Sequence, residues 1–200
     1  MRAATWRTPL ARALALLALV LVTVGALAAL GLHALEPALD PRYRMLSDYG
    51  DTPHRPVLTL AELTIGGAGV LSACALALQR PESRATRAGA YLLVLAGATI
   101  LGLAVWPDGI VHLGLVHVGQ VVMLGAVGAF AVSARERAGW RTFAILSWTL
   151  TVLTAMGIAR MEWLTPWPAL TQRVYWVVLI AWVVSGAAMA MRAAPRTRAA

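Results

Sequence analysis

The sequence predicts an all-α fold, a polytopic membrane bundle of six transmembrane helices with both termini on the cytoplasmic side. Three observations predict it. The 200 residues are 60% hydrophobic and only 13% charged, whereas a soluble domain is nearer one half apolar. The apolar residues fall in long runs, and about 20 helical residues cross a hydrocarbon core of ~30 Å. The arginines cluster at the breaks between those runs. Residues 1–200 are therefore expected to form a single membrane domain with no soluble module.

The first span is expected over about 11–33, where "MRAATWRTPLARALALLALVLVTVGALAAL" becomes continuously apolar from Ala13 to Leu32. Its basic front and late small residues also fit a secretory signal. The stretch is long for a signal core and suits a full span; cleavage would leave the remaining topology unchanged. The polar, turn-rich "RMLSDYGDTPHRP" (Arg44–Pro56) precedes a second span over about 57–78. The third and fourth are expected over about 89–106 and 110–132, the fifth over about 142–160 and the sixth over about 172–191. The connections carry Pro, Gly and charge, as helix breaks do. "GGAGVLS" (Gly66–Ser72) reads as close helix packing, and Ser147, Thr151 and Thr154 as interhelical hydrogen bonds.

Orientation follows from arginine placement. With a cytoplasmic N-terminus, four inner segments carry three arginines each: Arg2, Arg7 and Arg12; Arg80, Arg84 and Arg87; Arg135, Arg137 and Arg141; Arg192, Arg196 and Arg198. The outer side carries Arg42, Arg44, Arg55, Arg160 and Arg173. Twelve against five is a positive-inside bias. A net charge of +8 also raises nucleic acid as a partner. That class is excluded because the arginines lie in short clusters between apolar runs. The single Cys74, inside an apolar run, leaves no disulfide framework or cysteine metal site and reads as a buried thiol.

The acidic residues and histidines collect on the outer side. Asp48 and Asp51 lie in the first outer connection, Asp108 and Glu162 in the others, and Glu62 within the second helix. His33, His54, His112 and His117 all fall at outer ends or in outer halves, while the inner side offers arginine and little else. Ionisable groups at the depth of Glu62 and His117 are costly in lipid and face a bundle interior or a wet cavity. Two readings stay open: an outward-opening polar pocket, or polar groups that only hold helices together.

In "WPDGIVHLGLVHVGQ", Pro107 and Gly109 make a turn, and Asp108 suits a helix N-cap that could also orient His112. His112 and His117 lie roughly 140° apart around a helix, so they do not form the same-face pair of a one-helix metal site. No metal or cofactor is expected. Trp163, Trp167 and Trp176 fit the membrane interface. Arg160 and Arg173 run against the charge bias. They could pair with Asp48, Asp108 or Glu62, or hold a phosphate or carboxylate head group as planar bidentate donors. There is no phosphate loop, nucleophile elbow or zincin motif.

"RYRMLSDYG" resembles the "ISDLG"-type turn after the first helix of the domain of unknown function 998 (DUF 998) membrane proteins. "GLAVWPDGIVHLGLVHVGQ" resembles that family's "FP-D" turn and histidine-bearing helix. "GIARMEWLTPWPALTQRVYWVVLIAWVV" resembles its closing section, with G-x-x-x-R, then Gln-Arg, then a Trp-bearing helix. The matching positions are Ser47, Asp48, Gly50, Pro107, Asp108, a histidine at His112 or His117, and Arg173. Tyr49 stands where an aliphatic residue is expected, and Trp106 where phenylalanine is. The resemblance implies a six-helix membrane fold, distantly similar to small membrane families linked to lipid remodelling, and no established activity.

The functional expectation is a multi-pass protein of a bacterial plasma membrane whose outward polar pocket binds a lipid-like or other amphiphilic ligand. Its partners would be membrane lipids, and its ligand contacts Ser47, His112, Arg160, Arg173 and Trp176. The alternative is an intramembrane enzyme at the outer leaflet, using Asp48, Glu62 or Asp108 with His117 for acid–base chemistry on a lipid or isoprenoid substrate. A transporter is disfavoured because neither an internal repeat nor paired broken helices appear. In either remaining reading, Ser47, Asp48 and Gly50 form a turn that re-enters the outer mouth of the bundle, where Asp48 can meet Arg173, Arg160 or His112.

Overall fold

The computed structural model describes residues 7–44, 46–80, 83–105, 109–135, 138–159 and 168–192. Six long helices carry it: α1 (Arg7–Leu35), α2 (Arg55–Gln79), α3 (Arg84–Val105), α4 (Gly109–Arg135), α5 (Arg141–Ile158) and α6 (Pro168–Arg192). Short 3-10 helices span Leu46–Asp51 and Ala138–Trp140. Each long helix contains a segment long and apolar enough to cross a membrane. The chain is an integral multi-pass membrane protein.

Helix ends deviate from expectation where local chemistry extends a turn. α3 starts at Arg84 rather than near residue 89 because Ser83 caps it, its Oγ accepting the Thr86 N–H at 3.2 Å. α6 starts at Pro168, a residue suited to the first helical position. α2 likewise carries Pro56 in its first turn.

Neighbouring helices pack in the order α2–α3, α3–α4, α4–α5 and α5–α6, and α6 returns to α2. Five helices thus close a ring, and α1 lies outside it along α2 and α6. α1 reaches α2 through a small-residue stripe of Ala11, Ala15, Ala18, Val22 and Gly25, all buried. At Gly25 the helices are so close that an added Cβ would lie 2.5 Å from Ile65 Cγ1 and 3.1 Å from the Ala61 carbonyl oxygen. The opposite face of α1, with Leu16, Leu17, Val20, Leu27 and Leu30, is exposed, as a lipid-facing surface is.

The two ends of the bundle differ. The cap end carries residues 36–54 and the starts of α2, α4 and α6; the basal end carries the starts of α1, α3 and α5. Toward the basal end, the ring is filled by Phe130, Phe143 and Trp182, whose ring centroids lie 5.3–6.0 Å apart. The Trp182 indole donates to Ser147 Oγ at 2.8 Å.

The expectation that the arginine-rich end offers little else is corrected here. Arg80, only 6% exposed, donates from Nη1 to the Ser133 carbonyl at 3.0 Å and to Ser133 Oγ at 2.9 Å. Ser133 Oγ also lies 2.6 Å from Thr86 Oγ1 and 3.2 Å from Ser83 Oγ. The Arg80 guanidinium stacks over the Trp140 ring at 5.0 Å. A polar network therefore joins α2, α3 and α4 at the basal end. The hydroxyls of α5 bond within their own helix and, at two positions, across to α6. Ser147, Thr151 and Thr154 each donate to the carbonyl four residues back, at 2.7 Å; Ser147 also accepts from the Trp182 indole, and Thr154 meets the Tyr175 side chain.

Candidate functional site

Asp40 begins the cap. Its carboxylate accepts the Arg42 backbone N–H at 2.9 Å and the Arg42 side chain at 2.8–3.3 Å. Hydrogen bonding from that guanidinium holds the Asp40 carboxyl below the usual carboxylate range. The chain then descends into the Leu46–Asp51 helix. Tyr49 is fully buried there with Leu32, Leu46 and Leu58, so the turn does not float above the bundle. The Tyr49 hydroxyl lies 2.6 Å from His33 Nδ1, and the two rings meet edge to face. His54 Nε2 faces Glu36 Oε1 at 3.7 Å, drawing the start of α2 to the end of α1.

Two neighbouring side chains of α6 hold this turn by its backbone. Gln172 Oε1 accepts the Leu46 N–H at 2.6 Å. Arg173 Nη1 donates to the Arg44 carbonyl at 2.8 Å and to the Ala169 carbonyl at 3.1 Å. The Arg173 bonds run to main-chain carbonyls, not to the Asp48 carboxylate. Arg173 Nε and Nη2, the remaining bidentate edge of the guanidinium, are buried and meet no hydrogen-bond acceptor.

Beneath the cap lies a partly open cavity of about 300 Å³ between α2, α3, α4 and α6. Its polar lining is Glu62, Thr99, Gln120, Gln172 and Tyr175, and Leu93, Ile100, Leu179 and Trp182 are among its apolar walls. A second cavity of about 280 Å³ lies between α4, α5 and α6 and shares Gln120, Gln172, Tyr175 and Trp176 with the first. Gln172 and Trp176 thus face both ways: each lines the cavities, while Gln172 bonds the cap and Trp176 packs on its Leu46–Tyr49 cluster. α4 and α6 make no extensive contact across the ring. Gly97 and Gly119 also line the first cavity, but an added Cβ there would meet Val70 Cγ2 at 2.8 Å and Thr99 Oγ1 at 2.6 Å, so these glycines let α2, α3 and α4 approach closely around it.

The expected site residues divide. Glu62 and Trp176 line the cavity, and Arg173 sits in the cap. Asp48 lies half-buried on the 3-10 helix. His117 is half-buried on α4 but is not among the lining residues of either cavity. Asp108 and Arg160 lie outside the described residues, as do Glu162, Trp163 and Trp167; of Ser47 and His112 only the backbone is described. Cys74 is half-buried, not fully so. Tyr49, His33, Gln172 and Tyr175 were not among the expected site residues. Gln172 stood next to Arg173 in the quoted Gln-Arg pair, and Tyr49 stood out as a departure from the family turn. Both signals marked the cap's contacts.

Residues 16–189 match the sequence model of a family described as Protein of unknown function (DUF998). No curated protein matches the chain, and no solved structure matches it. The match takes in the greater part of α1, the whole of α2 to α5, nearly all of α6 and the cap between α1 and α2, and the chain belongs to the DUF998 family.

Proposed function

We propose that this protein binds a lipid-like amphiphile in the ring cavity, with the polar group near Gln172 and Glu62 and the apolar part against Leu93, Leu179 and Trp182. The observation that carries this reading is the lining itself: carboxylate, amide, phenol and hydroxyl groups share one cavity with an apolar wall, as small-molecule sites do. Arg173 supports an anionic head group. A buried guanidinium edge without an acceptor is costly, and a phosphate or carboxylate entering between the cap and α6 would satisfy it. In this reading the cap end faces outward across a bacterial plasma membrane, in keeping with the arginine bias toward the basal end.

The enzymatic alternative needs an acid and a base in one place. Among the described residues lining the two cavities, Glu62 is the carboxylate and no histidine joins it. Binding without chemistry is therefore the better-supported reading.

Photocrosslinking tests it. The protein is reconstituted with a phospholipid carrying a diazirine on its acyl chain, illuminated, digested and mapped by mass spectrometry. Adducts on Leu93, Ile100 or Leu179 are expected, and fewer of them in Gln120→Leu. Adducts confined to outward-facing residues such as Leu27 and Val177 would overturn the proposal.

A further inference from the structure

A second site lies at the basal end, away from the ring cavity. α1 and α3 both pack on α2, and between them runs a crevice of about 420 Å³. Its floor is Cys74, Ala77 and Leu78 of α2, and Ala90, Tyr91 and Val94 of α3 form one wall. Arg7 of α1 and Arg87 of α3, eighty positions apart in the sequence, line the same crevice. Both arginines sit in the first turn of their helices, at the membrane boundary of those spans. The remaining lining residues lie deeper along their helices and, apart from the Tyr91 hydroxyl, carry no strongly polar group.

We propose that this crevice holds one anionic glycerophospholipid, its phosphate between Arg7 and Arg87 and an acyl chain against Cys74, Ala77 and Val94. The gradient decides the occupant. Guanidinium groups are planar donors matched to phosphate oxygens, and basic pockets between transmembrane helices take anionic head groups. Tyr91 follows Arg87 by one turn and is 75% exposed, so its hydroxyl can reach a head-group or ester oxygen. A zwitterionic lipid places an ammonium beside the same two arginines, which weakens it. A second copy of the chain would bring four arginines together at one seam. The site is separate from the ring cavity, and either can fail without the other.

Native mass spectrometry from micelles doped with phosphatidylglycerol or phosphatidylcholine tests the assignment. The wild type is expected to retain one phosphatidylglycerol at least about tenfold over phosphatidylcholine, a difference of about 1.4 kcal/mol. The Arg7→Gln/Arg87→Gln pair should lose that preference, and the Arg7→Lys/Arg87→Lys pair should keep most of it. Cys74→Phe, which puts a ring into the crevice, should lose the bound lipid with the arginines intact. Lipid-free melting temperatures establish that each variant folds. All forms, including the one that is wild type at the crevice, carry Gln120→Leu, which weakens the ring cavity, so that the lipid counted is the one the crevice holds. No preference in the wild type would overturn the proposal, as would a preference that the glutamine pair retains. A dimer without lipid would overturn it in favour of a second copy.

Discussion

The Tyr49 hydroxyl and His33 Nδ1 lie 2.6 Å apart, joining the cap helix to the last turns of α1. Tyr49 is buried with Leu32, Leu46 and Leu58, while His33 is only half-buried, so water can reach the imidazole when its partner is lost. Tyr49→Phe keeps the ring and removes the bond. It is expected to cost about 0.5–1.5 kcal/mol, read as a lowered melting temperature in detergent. A variant as stable as the wild type would show that the bond contributes nothing.

Gln172→Leu leaves the buried Leu46 N–H without its acceptor, whereas Gln172→Glu keeps an oxygen in place. Limited proteolysis should cut residues 36–54 several-fold faster in the leucine variant than in the wild type, with the glutamate variant close to wild type. Equal rates in all three would separate the cap from α6.

At the basal end, Arg80→Met removes two hydrogen bonds to Ser133 and the stacking on Trp140 while keeping an apolar stem. The loss is expected to be about 2–3 kcal/mol, measured by thermal unfolding. Arg84→Met, at an exposed residue of the same end, serves as the control and should change little.

Gly25→Leu places a side chain where Ile65 and the Ala61 carbonyl already stand. Overpacking of this kind costs about 1–3 kcal/mol. Crosslinking between cysteines introduced at Ala18 and Ala68 in a Cys74→Ala background would report whether α1 has moved off α2. An unchanged crosslinking rate would mean that the seam absorbs the leucine.

Asp40 gives a pH prediction of the opposite kind. Its carboxyl is depressed by Arg42, so any stability from the pair is present above the unfolded value of about 4 and is lost as pH falls through the folded value. Arg42 is exposed and the pair is open to solvent, where salt and water screen it. Asp40→Asn should therefore leave the acid limb of the melting-temperature profile unchanged. A limb shifted by the substitution would show that the turn depends on the charge.

The fold was legible because hydrophobicity in a membrane chain is a direct record of which segments cross: all six helices lie where the apolar runs put them. The site was legible only in part. Glu62 could be singled out because a carboxylate two turns into a span needs a polar neighbourhood. Tyr49 and Gln172 could not, since a tyrosine beside a turn and a glutamine near a helix start are ordinary at a membrane surface. Their roles depend on a fold that brings residues 46 and 172 together across 126 positions. The main-chain contacts of Arg173 were not legible for a related reason. Sequence shows carboxylates as partners for arginine, but not the main-chain carbonyls that a turn presents. The polar basal cluster escaped notice because serine and threonine are common within apolar helices, and only packing sets three of them around one arginine.

The self-bonded hydroxyls of α5 bear on how the protein is made. α5 is the least hydropathic of the six spans, at 1.3 against 2.7 for α1. Counted by composition, it is the segment most prone to slip past the translocon without lateral release. Ser147, Thr151 and Thr154, however, each cap a carbonyl of their own helix, so their polarity is satisfied before any neighbour arrives. The segment can leave for the lipid as an independent helix, and when α6 follows the Trp182 indole can donate to a free lone pair of Ser147 and Tyr175 can meet Thr154. Biogenesis of the ring then needs no chaperoned pairing of its most polar strut, only the order in which the ribosome delivers it.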